Sequence, residues 1–231
     1  MKISRYRLRK LYKNKKIKKK FITRTKKPTK AQTKKIADAK IVLKQQLEDA
    51  PSKGQLVIVS DEMVITKSTI PKVSWSNKKQ NISLDMKELD EKYISIVGGI
   101  SSSRGFEVWM CWYSAINKKR YVQFLEELRE ANGKQPILLV QDNCSSHHAK
   151  ICIKKCKELD IEIAWLPIYS PIYSGLELIW GISKAKIKAK RLQALMNGQK
   201  PDLLQMIQDA FDSISTETCA KCIKKCFDRL N

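Results

Sequence analysis

The chain has 231 residues, 42% of them hydrophobic, enough for one substantial core and a small appendage but too few for two full-sized domains. Its formal charge of +23 is uneven: residues 1–35 hold 17 Lys and Arg and no acid, so only +6 belongs to the remainder. Seven cysteines without a signal peptide argue against a disulfide framework, and no apolar run reaches the roughly 18 residues of a membrane-spanning helix, so a soluble intracellular protein is expected.

In chain order, Ser4 can cap a short helix through Tyr12, followed by Lys-rich sequence up to Pro28. A block this basic favours a polyanion by releasing counterions from phosphates, and nucleic acid is the first partner to consider; a solvated or nuclear-targeting tail is the competing reading. Thr29–Asp49 sets Ile36, Ala39, Ile41, Val42, Leu43 and Leu47 among polar residues, the pattern of an amphipathic helix ended by Pro51 and Gly54. Leu56–Val59 is a continuous apolar run suited to a strand buried on both faces, ended by Asp61 and Glu62. Lys92–Gly98 and Glu107–Tyr113 read as a hairpin around Ser101–Gly105, Lys118–Asn132 as a helix, and Pro136–Val140 as a second buried strand running into Asp142. Ala149–Leu159 is then a helix, Ile161–Leu166 a short strand, and Pro167–Gly175 a loop opening a helix near Leu176, with Glu177 in its first turn. Apolar positions at helical intervals over Pro201–Asn231 predict one or two closing helices. The expected organisation is a basic arm over 1–30, a linker helix over 31–54, an α/β domain over 55–200 and C-terminal helices over 201–231.

Three acids stand out by position: Asp61 and Asp142 after buried strands, and Glu177 at a helix start after a third strand. Side chains at neighbouring carboxyl ends of strands share one crevice, where carboxylates repel each other unless cations neutralise them. Magnesium takes carboxylate and phosphate oxygens, and two such ions support in-line displacement at phosphorus. An acid at a strand end is more often a turn or cap residue, so position alone leaves both readings open.

Four segments in order resemble the mariner superfamily of DDE transposases, and within it the Tc branch. They are Val59-Ser60-Asp61-Glu62; Ile96-Val97-Gly98-Gly99-Ile100-Ser101; Val140-Gln141-Asp142-Asn143 with His147; and Leu166-Pro167-Ile168-Tyr169-Ser170-Pro171 followed by Leu176-Glu177-Leu178-Ile179-Trp180 and Lys184. The 34 residues between Asp142 and Glu177 match the spacing of the Tc branch. The resemblance covers roughly residues 35–190 and implies a ribonuclease H-like fold, a mixed central β-sheet flanked by helices. It implies Asp61, Asp142 and Glu177 as catalytic ligands of two Mg2+ or Mn2+ ions, with Asn143 and His147 in support. It further implies DNA, as transposon ends and target, for a partner, action as a homodimer, and a nuclear location in a eukaryote or a cytoplasmic one otherwise. Arg5, Arg7, Arg9 and Lys10 of the arm and Lys184, Lys186 and Lys188 are the residues expected on the DNA backbone.

Two departures bear on this expectation. Where the family has Asn-Pro before Ile-Glu, this chain has Ser174-Gly175, exchanging a rigid residue for a flexible one, which predicts a looser presentation of Glu177. Of the family's two N-terminal helix-turn-helix units only Ser4–Lys20 resembles a part, the last helix and following strand, as expected of a fragment, a decayed copy or a domesticated protein. The competing function is therefore a non-catalytic DNA-binding protein derived from such an enzyme; a basic RNA-binding protein would explain the arm but not the ordered carboxylates.

Adjacent His147 and His148 point about 100° apart on a helix, which disfavours zinc. A helix-start hydrogen-bonding role is the ordinary alternative for His147. Cys219, Cys222 and Cys226 at i, i+3 and i+7 share a helix face and read as small packing residues. Trp75, Trp109, Trp112, Trp165 and Trp180 suit a core better than base stacking, and Trp180 is placed to anchor the helix that carries Glu177.

Overall fold

The computed structural model describes residues 29–71 and 93–230, so the Ser4–Tyr12 helix, Arg5, Arg7, Arg9, Lys10 and Trp75 lie outside the described residues. The chain divides into two units, residues 1–33 and 34–231, and the sheet with its covering helices belongs to the second. Among the described residues no helix is long and apolar enough to cross a membrane.

The middle layer is a five-stranded sheet in the order β3-β2-β1-β4-β5, with β1 Leu56–Ile65, β2 Ile94–Ser101, β3 Gly105–Trp112, β4 Ile137–Gln141 and β5 Ile161–Trp165. β1, β2 and β3 form an antiparallel meander, while β4 and β5 run parallel to β1. Parallel neighbours need crossovers, supplied by α2 Lys118–Asn132 between β3 and β4 and by α3 Lys150–Glu158 between β4 and β5. The mixed sheet with helices on both faces is the layering expected of this sequence.

Strand alternation assigns each face its own core. Val59, Met63, Ile65, Ile94, Ile96, Ile100, Leu138 and Val140 face α4 Gly175–Met196, α5 Leu203–Asp212 and α6 Thr216–Phe227. Ile58, Val97, Ile137 and Leu139 face α2 and α3. On α2, Tyr121, Phe124, Leu125 and Leu128 make a buried stripe at helical spacing, and Asn117 caps the helix by accepting from the amides of Lys119 and Arg120. α1, Lys30–Asp49, buries Leu43, and Gln46 near its end donates to Glu162 and to the Ile163 carbonyl of β5, while Lys53 and Gln55 just beyond also bind Glu162.

One expectation needs correction. Asp61 and Glu62 do not end the first strand: β1 continues to Ile65 because its antiparallel ladder with β2 runs on to the pair Ile65 and Ile94. The parallel ladder with β4 stops earlier, at Val59 and Val140. Beyond that point β1 is paired on one side only, which leaves an open notch beside the two acids.

The C-terminal cysteines behave as packing residues. Cys219 and Cys226 are buried, Cys222 is half-buried, and all three are free thiols on α6.

Candidate active site

The register between β1 and β4 sets the first two acids level with each other. Val59 pairs with Val140, so Asp61 and Asp142 each stand two residues past the last parallel pair, at the mouth of the notch. Alternation then separates Asp61 from Glu62. Asp61, paired with Gly98, lies on the α4 face, and Glu62, paired with Val97, lies on the α2 and α3 face.

Two close approaches bring the third acid in. Gly98 faces α4, where a Cβ would lie 2.9 Å from the Trp180 ring; its absence lets the buried Trp180 settle on β2 beside Asp61. Trp180 also packs against Phe106 and Phe211, anchoring the helix as expected. At the start of α4, Gly175 is buried and a Cβ there would lie 2.8 Å from the Ile223 Cα of α6. The expectation of a looser loop is thus overturned: Gly175 is a close-packing residue that clamps the first turn, which carries Glu177, onto α6.

Electrostatics show how the carboxylates gather. The Asp61 carboxyl is pushed up to about 8, first by burial and then by the charge of Glu177, with Glu62 and Asp142 adding to the effect. Its Oδ1 accepts from the Glu62 amide at 2.8 Å, whereas its Oδ2 is buried without a hydrogen-bond partner. A buried carboxyl oxygen with no hydrogen-bond partner among the described residues, facing further acids, resists ionisation, and a hard cation fits it.

On the other face, His147 is buried between two carboxylates, with Nε2 2.7 Å from Glu62 Oε1 and Nδ1 3.0 Å from Asp142 Oδ1. Burial pulls its pKa down, but the bonds to Asp142 and Glu62 outweigh that and raise it to about 10, so it is an imidazolium at neutral pH. The His147 bond in turn holds the Asp142 carboxyl below the usual carboxylate range. Glu62, Asp142 and His147 offer three ligand atoms within 4.8 Å of one another. The imidazolium supplies the positive charge in that set, while the side chain of Asp142 is 51% accessible and the Asp61 carboxyl on the other face feels Glu177, Glu62 and Asp142.

The supporting residues take distinct places. Asn143 donates through Nδ2 to the Leu166 carbonyl, tying the loop after β4 to the segment that leads towards Glu177. The neighbouring exposed His148 stacks on Trp165, with ring centroids 4.0 Å apart, and meets Asn143 Oδ1 at 3.3 Å. On α4, Glu177, Gly181, Lys184 and Lys188 fall on one helical stripe. Lys186 points elsewhere, its ammonium bonded to the Ser213 carbonyl at 3.2 Å and to its hydroxyl at 2.5 Å, so its ammonium braces the segment between α5 and α6. Sequence reasoning missed Glu62 as the partner of His147 and Tyr121, whose ring lies 4.2 Å from that of His147. Period-two alternation after Asp61 could have indicated the first; nothing in the local pattern of α2 distinguishes Tyr121 from its core neighbours.

Acids gathered where the parallel ladder of a mixed sheet ends are the kind of site a metal-dependent nuclease uses, and comparison with known proteins places the chain among endonucleases. Residues 56–196 match the family model described as DDE superfamily endonuclease, and the chain belongs to that family. No curated protein sequence matches it. Solved structures show the same ribonuclease H-like fold. They include the Mos1 strand transfer complex, at TM-score 0.64 and 19% identity over 97% of this chain and 66% of that one. The Mos1 mariner paired end complex with Mn matches at TM-score 0.66 and 16% identity over 99% of this chain and 69% of that one. The catalytic domain of Mos1 mariner transposase matches at TM-score 0.60 and 16% identity over 90% of this chain and 94% of that one. The chain thus spans about two thirds of the fuller Mos1 chains.

Proposed function

We propose that this chain is the catalytic part of a transposase that cleaves DNA strands at transposon ends and joins them to target DNA, with Asp61, Asp142 and Glu177 as its catalytic residues. The observation that carries the reading is the buried Oδ2 of Asp61, without a hydrogen-bond partner among the described residues and near three further acids, in a member of an endonuclease family. Solved relatives described as a strand transfer complex and as paired end complexes with Mn or Mg support the extension to transposon DNA and divalent ions.

Asp61, Asp142 and Glu177 would hold two Mg2+ or Mn2+ ions, which supply electrostatic stabilisation to attacking and leaving oxygens at phosphorus. This chain's other residues prepare that site. His147 holds Asp142 and Glu62 in place through its two ring nitrogens. Asn143 fixes the loop after β4 against the approach to Glu177. Lys184 and Lys188, on the same stripe as Glu177, meet the DNA backbone, with the basic arm of residues 1–30 giving sequence-independent affinity. Bringing two ends together requires two copies of the chain, acting as a homodimer.

The test is a Mn2+ titration of the full chain, carried into the millimolar range, beside Asp142→Ala. Saturable binding lost in the variant is the expected result. Equal binding by both proteins, or none by either, would instead favour a non-catalytic DNA-binding protein of the same descent.

A further inference from the structure

One side chain outside the acid set touches the residue before each strand-borne ligand. Tyr121 is fully buried on α2, and its hydroxyl donates to Gln141 Oε1. The same hydroxyl lies 3.4 Å from Ser60 Oγ. Gln141 immediately precedes Asp142 and Ser60 immediately precedes Asp61, so a single phenol oxygen bridges β4 and β1 where their ladder has just ended. Both Ser60 and Gln141 point to the α2 face by alternation, leaving their acidic neighbours free to turn into the notch.

The ring does a second job. It lies 4.2 Å from the His147 ring at an interplanar angle of 31°, against the imidazole that binds both Glu62 and Asp142. Phe124 backs it at 5.7 Å, and the capped start of α2 fixes its backbone. A buried phenol with its proton committed to an amide oxygen has little freedom to move, so it transmits the position of α2 to both strand ends.

We propose that Tyr121 is a positioning residue that sets the mutual placement of Asp61 and Asp142 through Ser60, Gln141 and His147. It touches no reacting atom. The proposal rests on the reading of Asp61 and Asp142 as ligands, and it concerns the fine geometry of the pair rather than their identity. Placement to a few tenths of an ångström is what a small octahedral ion demands, and supporting shells commonly alter metal affinity about 10-fold or more.

Tyr121→Phe keeps the ring and its packing on His147 while deleting the bridge, and Gln141→Met removes the acceptor. In Mn2+ titrations of the full chain each variant should bind roughly 5–10-fold more weakly than the parent, and the double variant no more weakly than the poorer single, as expected of groups acting as one unit. Wild-type affinity in Tyr121→Phe, or losses that multiply in the double variant, would overturn the proposal. Amide chemical shifts at Asp61 and Asp142 provide a metal-free readout. They should move in Tyr121→Phe, and unmoved shifts overturn the proposal even if no protein binds Mn2+, an outcome that separately sinks the metal reading. A melting temperature close to the parent's separates positioning from loss of fold; a collapse in melting temperature together with binding would identify Tyr121 as a core residue only.

Discussion

Asp61 and Glu62 are neighbours in the chain whose side chains turn to opposite faces of the sheet. On the α4 face, Asp61 is buried near other acids, and its carboxyl is pushed up to about 8. On the α2 face, Glu62 meets an imidazolium at 2.7 Å that also binds Asp142. On one side of the sheet the carboxylates are compensated by His147, and on the other burial and neighbouring acids disfavour ionisation of Asp61. The pair teaches that two acids one residue apart can have opposite electrostatic surroundings, and that the face of the strand decides which.

The largest expected effect comes from removing the uncompensated side. Asp61→Asn should lower divalent-metal-dependent nicking of DNA by roughly 10^3-fold, since a metal-borne stabilisation of several kcal/mol is at stake. The same variant should melt at a higher temperature than the parent without metal at neutral pH, because it removes a carboxyl whose ionised form the fold disfavours. A lower melting temperature would show that Asp61 is compensated by the protein after all.

Removing the brace should act in the opposite sense on the fold. His147→Ala leaves Glu62 and Asp142 facing each other without their shared cation and should cost about 2 kcal/mol in urea unfolding. A loss under ~0.5 kcal/mol, as for exposed pairs, would place this contact in the same class as surface salt bridges.

The two sides also titrate in different, partly overlapping windows. Asp61 moves from an ordinary 3.8 to about 8, so its protonated form is favoured by folding; that contribution is present below pH 3.8 and is lost as pH rises towards 8. His147 moves from 6.5 to about 10, so its contribution is complete below pH 6.5 and is lost as pH rises through 10. Metal-free protein should therefore melt at lower temperatures as pH increases from 4 to 10. Asp61→Asn should flatten the acid half of the decline and His147→Gln the alkaline half. Mn2+ should bind more tightly as pH climbs to about 8, with proton release detectable by calorimetry in buffers of different ionisation enthalpy.

The smallest effects separate two glycines of one helix. Gly175→Ala should destabilise by about 1–3 kcal/mol through collision with α6, whereas Gly181, with nothing within 4 Å of its missing Cβ, should gain about 0.5–1 kcal/mol on becoming Ala. Chemical denaturation measures both, and equal effects would contradict the clamp described for the first turn of α4.

Much of this arrangement was readable in the chain. The helical spacing of α2 and the apolar runs of β1 and β4 located the elements, because burial imposes periods that survive in sequence. The length of β1 was misjudged, since a strand's end depends on which neighbour still pairs with it, and Ile94 lies far along the chain from Ile65. Gly175 looked like lost rigidity for a related reason: only the fold reveals Ile223 against it. The bridging role of Tyr121 is likewise a fact of tertiary contact, as its spacing is that of an ordinary core residue.

The endonuclease match stops at residue 196, yet the folding unit does not. Leu203, Ile207, Phe211, Ile214, Cys219 and Ile223 belong to the same core as Trp180 and Leu176. A polypeptide cut where the homology ends would bare an apolar wall along the very helix that presents Glu177, and such a surface invites self-association. The last residue of that match and the end of the folding unit thus fall in different places on this chain.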